Sequence, residues 1–186
     1  MLRNYLLFLL VLLLFTGCRC NTPKRNLSET VLQVKEGGKL VTAEYILSKI
    51  IKASDDQTWY KIGNRKILMS CEAHLKAGVD LEQISENNID LSDSILTVTV
   101  PPAQLFSLSL PPEKIQVRYQ EIDLLRDPFS ANEREQLLAQ AERQIRQLAD
   151  SLGILETAQN NAALFLQKLL QQAGYEKVRI HFEKRR

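Results

Sequence analysis

Between Arg65 and Ala77 the chain alternates without a break. Ile67, Met69, Cys71, Ala73 and Leu75 fall on one side, and Ser70, Glu72, His74 and Lys76 on the other. A period of two predicts a strand with one buried face. Residues 39–51, KLVTAEYILSKII, are rich in β-branched and aromatic side chains and predict another strand, although their periodicity alone also fits a helix. Ala53 to Gln57 reads as a polar loop, and Ala77 to Leu81 as a turn in which Gly78 tolerates unusual dihedrals. Ile89 to Leu91 and Ile95 to Val100 predict two short strands around Ser92-Asp93-Ser94, a hairpin. Pro101-Pro102 stops the second of these, because proline cannot donate to a ladder, and Pro111-Pro112 interrupts the chain again. Lys114 to Glu121 predicts a further strand with Ile115, Val117 and Tyr119 on one face.

The period changes in the C-terminal third. Ser130 and Glu133 form a Ser-x-x-Glu capping box. Leu137, Leu138, Ala141, Ile145, Leu148, Ala149 and Leu152 follow at helical spacing, with Gly153 suited to the position after the helix. A second helix carries Leu155, Ala158, Ala162, Phe165, Leu166, Leu169, Leu170 and Ala173, and Gly174 ends it. Val178, Ile180 and Phe182 alternate as a closing strand. Near the other end, Ser28 can cap a short helix with Leu27, Val31 and Val34 on one stripe, ended by Gly37-Gly38. The pattern predicts one α+β domain over residues 28–186: a mainly antiparallel sheet, covered by two C-terminal helices and closed by a final strand.

The first residues follow neither pattern. Arg3 precedes an apolar run of 11 residues, Tyr5 to Phe15. Roughly 30 Å of hydrocarbon needs about 20 residues to cross it, so this run is too short to span. It suits the apolar region of a signal peptide over residues 1–17. Leu14-Phe15-Thr16-Gly17-Cys18 resembles the lipobox of bacterial lipoproteins, with Phe15 where Leu, Val or Ile is usual. The resemblance implies acylation at Cys18, with residues 18–27 as a polar tether. Ordinary signal cleavage and an uncleaved anchor are the alternatives. Arg19, Lys24 and Arg25 can add attraction to anionic headgroups. By analogy with lipoprotein sorting, Arg19 is not the Asp that retains such proteins at the inner membrane. The expectation is an exported protein of the cell envelope, held on the membrane by a lipid and facing the periplasm.

Composition and charge narrow the partners. Lysine and arginine number 24 against 22 acidic residues, and removal of residues 1–17 takes away only Arg3. A domain this balanced has no global field for nucleic acid, and none is expected to bind. With Cys18 acylated, Cys20 and Cys71 remain; an export compartment permits a bridge between them, while Cys71 also fits a buried apolar position.

Several short motifs, taken in order, resemble the bacterial family called Domain of Unknown Function 4230. They are Gly63-Asn64-Arg65-Lys66-Ile67-Leu68, Ala77-Gly78-Val79-Asp80-Leu81, the proline-closed stretch Ile95 to Pro101, and Tyr119-Gln120-Glu121. Gly153-Ile154-Leu155, Ala158, Asn161-Ala162 and Leu169-Leu170 with Gly174-Tyr175 complete them. Val100 stands before the proline where the family tends to have Leu. The resemblance covers residues 40–182 and implies a membrane-tethered envelope protein, with no catalytic residue assigned.

Candidate chemistry is sparse. His74 and His181 are the only histidines. Cys71 and His74 lie three apart on a predicted strand and so face opposite sides, which leaves too few convergent ligands for zinc. Asp55-Asp56 and Asp80 with Glu82 are the acid/base candidates, read more simply as a loop and as a turn residue bonding its own backbone. No serine sits in a Gly-x-Ser-x-Gly setting, and no Gly-Lys-Ser/Thr follows Gly37-Gly38. Arg65 and Lys66 beside Trp59 and Tyr60 read as a strand end with a packed aromatic pair. No catalytic residue, metal ligand or cofactor is therefore assigned. The leading expectation is a non-enzymatic module that binds or scaffolds an envelope protein partner. The alternatives are a small hydrolase-like enzyme, marked by a pocket converging on Asp80, Glu72 or His74, and a small-ligand carrier with an apolar cavity between helices and sheet.

Overall fold

The computed structural model describes residues 34–35, 38–55 and 63–184. The signal segment, the tether with Cys18 and Cys20, most of the first short helix, and Asp56, Gln57, Trp59 and Tyr60 lie outside the described residues. Of that helix, Val34 and Lys35 are helical, and Gly38, at φ +57°, donates its N–H to Lys35 O at 3.0 Å.

Strand β1 (Lys39–Asp55) is 17 residues long and pairs antiparallel along its length with β2 (Arg65–Asp80). Ala53 to Asp55 therefore continue β1 and are not a loop. Likewise β2 runs through Gly78 to Asp80, and the chain turns only at Leu81–Gln83. Gly78 is needed for a different reason from the expected one: its φ is not positive, but a Cβ there would lie 1.9 Å from Leu40 O, beside the bulge between Val41 and Ala43. Two strands share the other edge of β2. β6 (Gln116–Ile122) pairs with Arg65 to Ser70, and β5 (Gln104–Ser109) with His74 to Gly78. β5 lies between the two proline pairs, in a stretch without a predicted element.

The second sheet is smaller. β3 (Ile89–Ser92) and β4 (Ile95–Val100) form the expected hairpin, with Asp93 and Ser94 both at positive φ as a two-residue primed turn requires. β7 (Lys177–Phe182) closes the sheet parallel to β4.

Helix α1 (Ala131–Leu148) begins at the expected capping box: Ser130 Oγ accepts from Glu133 N at 3.2 Å, and Glu133 accepts from Ser130 N at 2.8 Å. It stops before Leu152, and Gly153, at φ +71°, caps the start of α2 (Ile154–Gln172) instead of ending α1. The fold is α+β, one domain with mostly antiparallel strands. None of the described helices is long and apolar enough to cross a membrane.

The helices cover one face of the first sheet. α2 lays Ala158, Ala162 and Leu166 on Ala73, Leu75 and Ala77, all essentially inaccessible to solvent. Alanines on both sides let the helix axis come close to the strands. Leu96, Val98 and Val100 of β4 join the same core. A smaller core lies at the other end of β2, where Ile51, Ile67, Met69 and Cys71 pack with Phe129 and Ala141. Phe165 and Leu169 belong to the predicted stripe of α2 but lie outside the contact face, 48% and 40% exposed.

Candidate functional site

The side of the first sheet away from the helices has no covering element among the described residues. Strand alternation places Glu44, Ile46, Ser48, Ile50 and Lys52 of β1 there, with Lys66, Leu68, Ser70, Glu72, His74 and Lys76 of β2. Ile46 and Ile50 are 63% and 61% exposed. Register sets Ile46 opposite His74, Ile50 opposite Ser70, and Lys52 opposite Leu68. Leu68 in turn pairs with Tyr119 of β6. The apolar groups thus run diagonally across the face, Ile46, Ile50, Leu68, Tyr119.

A bulge brings Tyr119 to this face. The shift in β2 between Leu68 and Met69 pairs Leu68 with Tyr119 and Met69 with Val117, leaving Arg118 as the extra residue. Val117 and Tyr119, expected side by side, therefore point to opposite faces. Arg118 Nε donates to Ser70 Oγ at 2.9 Å, which holds the bulge against β2.

Ion pairs rim the diagonal: Lys76 with Glu44 at 3.2 Å, Lys114 with Glu72 at 3.7 Å, and Lys66 with Glu121 at 3.9 Å. The hydroxyl of Tyr119 donates to Glu121 Oε2 at 2.9 Å, and this bond pushes its pKa up. Lys52, Lys66, Leu68 and Tyr119 border a shallow cleft of about 390 Å³. Exposed pairs like these add little stability. They edge the apolar strip with charge.

The strongest charge cluster lies elsewhere, at the paired ends of β1 and β2. Arg65 is 13% exposed; its Nε and Nη2 donate to Asp55 Oδ2 at 3.1 and 3.0 Å. Its other side donates to Glu133 Oε1 and Oε2 at 2.5 and 3.2 Å. Arg126 also binds Asp55 Oδ2. The Arg65 guanidinium stacks over Phe129, 4.4 Å from the ring centroid, so the aromatic partner sits in the loop before α1. The hydrogen bonds from Arg65, followed by those from Ser130, hold the Glu133 carboxyl down at about 2. The bond to Glu133 in turn raises the pKa of Arg65. A carboxylate this acidic is a poor base, and it is occupied by the guanidinium and the helix cap. The cluster is a latch that ties the start of α1 to the end of the sheet.

The remaining candidates scatter. Cys71 is buried on the helix side and has no disulfide partner among the described residues, and burial raises its pKa. His74 lies on the opposite side, with Nε2 lacking a hydrogen-bond partner among the described residues. His181 is on β7 of the other sheet. Asp80 accepts from Glu82 N at 3.2 Å and from Gln83 Nε2 at 2.9 Å, the turn role expected of it. Glu72 pairs with Lys114, and Asp55 belongs to the latch. Among the described residues no three His, Cys, Asp or Glu side chains are grouped to hold a metal.

The family model described as "Protein of unknown function (DUF4230)" matches residues 32–180. The chain belongs to the DUF4230 family. Neither a curated protein nor a solved structure matches it. The DUF4230 match spans the first sheet, both helices, the latch, the uncovered face and the second sheet up to Ile180 of β7, so these features lie within the family domain. Sequence reasoning missed the uncovered face. The periodicity of residues 39–51 assigns no side chain to either face, and only the pairing of β1 with β2 from Ala43 onward places Ile46 and Ile50 with Glu44 and Lys52 on the solvent side.

Proposed function

We propose that this DUF4230 protein is a non-enzymatic binding module of the bacterial envelope. Its uncovered sheet face engages a protein partner at the membrane, and a lipid on Cys18 tethers it there. The observation that carries the reading is the diagonal of Ile46, Ile50, Leu68 and Tyr119 within its rim of ion pairs. An exposed apolar strip edged by charge suits protein contact. The helix–sheet interface, where a carrier would hold its ligand, is packed with Leu75, Ala158, Ala162 and Leu166. The tether rests on the signal-like segment and the lipobox resemblance.

The test is co-purification from detergent-solubilised membranes with a C-terminal tag. A stoichiometric partner that is retained by the natural chain and by Leu164→Ser on α2, but lost with Leu68→Ser/Tyr119→Ser, is the expected result. Retention by the sheet-face variant sinks the assignment of the surface. For the tether, palmitate label should enter the natural chain and not Cys18→Ala; label that persists in the variant rules out Cys18.

A further inference from the structure

We propose that the free edge of β1 pairs antiparallel with β1 of a second copy of this chain, in a two-fold register centred on Ser48. β1 is an edge strand, with β2 on one side only. At its N-terminal end α2 closes the other side: Asn161 Nδ2 donates to Thr42 O at 2.8 Å, and Thr42 Oγ1 to Ala158 O at 2.6 Å. From Glu44 to Ser54 no backbone hydrogen bond to anything but β2 is found among the described residues. A long open edge is a liability that natural proteins block with charged side chains, lysine above all, or with proline, bulges or inward-pointing charge; here the exposed charges, Glu44 and Lys52, are of opposite sign. This one carries no proline, and its one bulge lies before Glu44. Lys49 is the inward-pointing charge, and in the register centred on Ser48 it stands opposite Leu47 of the second copy and not opposite itself.

The exposed side chains of β1 are self-complementary. Antiparallel pairing about Ser48 sets Glu44 opposite Lys52 of the second copy, Ile46 opposite Ile50, and Ser48 opposite itself, with each unlike pair occurring twice by symmetry. The two most exposed isoleucines of the sheet cover one another, and both charges gain a partner. Other in-phase registers lose this match. Centring on Lys49 sets Lys49 opposite its own copy, and centring on Leu47 sets Glu44 opposite Ile50. Centring on Ile46 or Ile50 leaves Glu44 or Lys52 opposite Ser48. On the helix side, Lys49 borders a polar cleft of about 130 Å³ with Gln140 and Gln144, which keeps its ammonium hydrated beside the joined edges. The result is a continuous sheet through both copies, with the uncovered faces side by side. This adds a second copy to the binding reading above without resting on it: Ile46 and Ile50 belong to both surfaces, whereas Leu68, Tyr119 and Cys18 take no part in the pairing.

The test is the mass of the full detergent-solubilised chain by light scattering, corrected for detergent, for the natural sequence, Glu44→Lys, Lys52→Glu and the double variant. The natural chain should be a dimer. Each single substitution sets like charges opposite each other twice and should weaken the dimer at least about tenfold; the double should restore it. Because Glu44 also pairs with Lys76 of its own chain, and the double variant does not repair that pair, rescue reports the contact between copies. A monomeric natural chain, or single variants that dimerise as tightly as it does, would overturn the proposal. Circular dichroism checks that each variant is folded. Independently, with Cys18 and Cys20 replaced by serine, Ser48→Cys should oxidise rapidly to a cross-linked dimer and Lys52→Cys should not. Equal cross-linking at both positions excludes this register. Dimerisation without Cys18 also separates a failure here from a failure of the tether.

Discussion

The two halves of β2 are held in different ways. From Ala73 to Val79 its inward side chains are 0% exposed, α2 lies over them through alanine contacts, and β5 covers the edge. From Arg65 to Cys71 the inward side chains meet a core of few residues, the covering helix is α1, and the edge strand β6 carries a bulge. The first half rests on apolar burial. The second half supplements a small core with a directional device: Arg65 joins the carboxylate at the end of β1 to the one that caps α1, over the ring of Phe129. Apolar burial does not titrate, and a latch of charges does. One strand therefore has a half that responds to pH and a half that does not.

The comparison predicts where substitution costs most. Leu75→Ala empties a fully buried site beneath α2 and should destabilise the domain by about 2–5 kcal/mol, lowering the urea midpoint of the whole fold. Gly78→Ala follows, since the new methyl group would meet a backbone oxygen that can move only with the bulge in β1. Its cost should be about 1–3 kcal/mol, again as one cooperative transition. If either variant lost only the Arg65 half, with α2 still protected from hydrogen exchange, the division drawn here would be inverted.

The same division explains what could be read in the residue pattern. β2 was legible because burial acts on every second residue along its length, and the helices because apolar positions repeat and Ser130 with Glu133 is a local signal. β5 was not, because Pro101-Pro102 and Pro111-Pro112 read as punctuation and its pairing partner lies far along the chain, on β2. Tyr119 was grouped on one face with Val117 because a bulge in a distant pairing, which reverses the alternation, leaves no mark in the residue pattern. Gly153 looked like the end of one helix and proved to be the start of the next, since a left-handed residue serves either end of a tight connection. The latch was hidden for a related reason. Asp55, Arg65, Arg126 and Glu133 are scattered in sequence, and only β pairing and the approach of α1 unite them. Arg65 and Asp55 were each singled out, but with other roles in view.

Arg65→Ala tests the latch directly. It leaves Asp55 with Arg126 but frees Glu133 and uncovers Phe129. The loss should fall between that of an exposed pair and that of a fully buried one, roughly 1–3 kcal/mol. It should also be local: amides in the first turns of α1 should exchange faster while those of α2 above Leu75 stay protected. Uniform loss of protection would mean that the two halves of β2 do not open separately.

The smallest effect is the most diagnostic, because it tracks one proton. Glu133 titrates at about 2 in the fold against 4.5 for the ordinary carboxyl, so between these values the unfolded chain binds a proton that the folded chain does not. The stabilisation is therefore complete above pH 4.5, declines as the pH falls, and is lost below about 2. Urea midpoints measured from neutral pH downward should fall across that window, and less steeply in Glu133→Gln, which cannot titrate there but can still cap the helix. Leu75→Ala should shift the whole curve down and keep its slope. Identical slopes for Glu133→Gln and the natural chain would place the acid sensitivity in carboxylates other than Glu133.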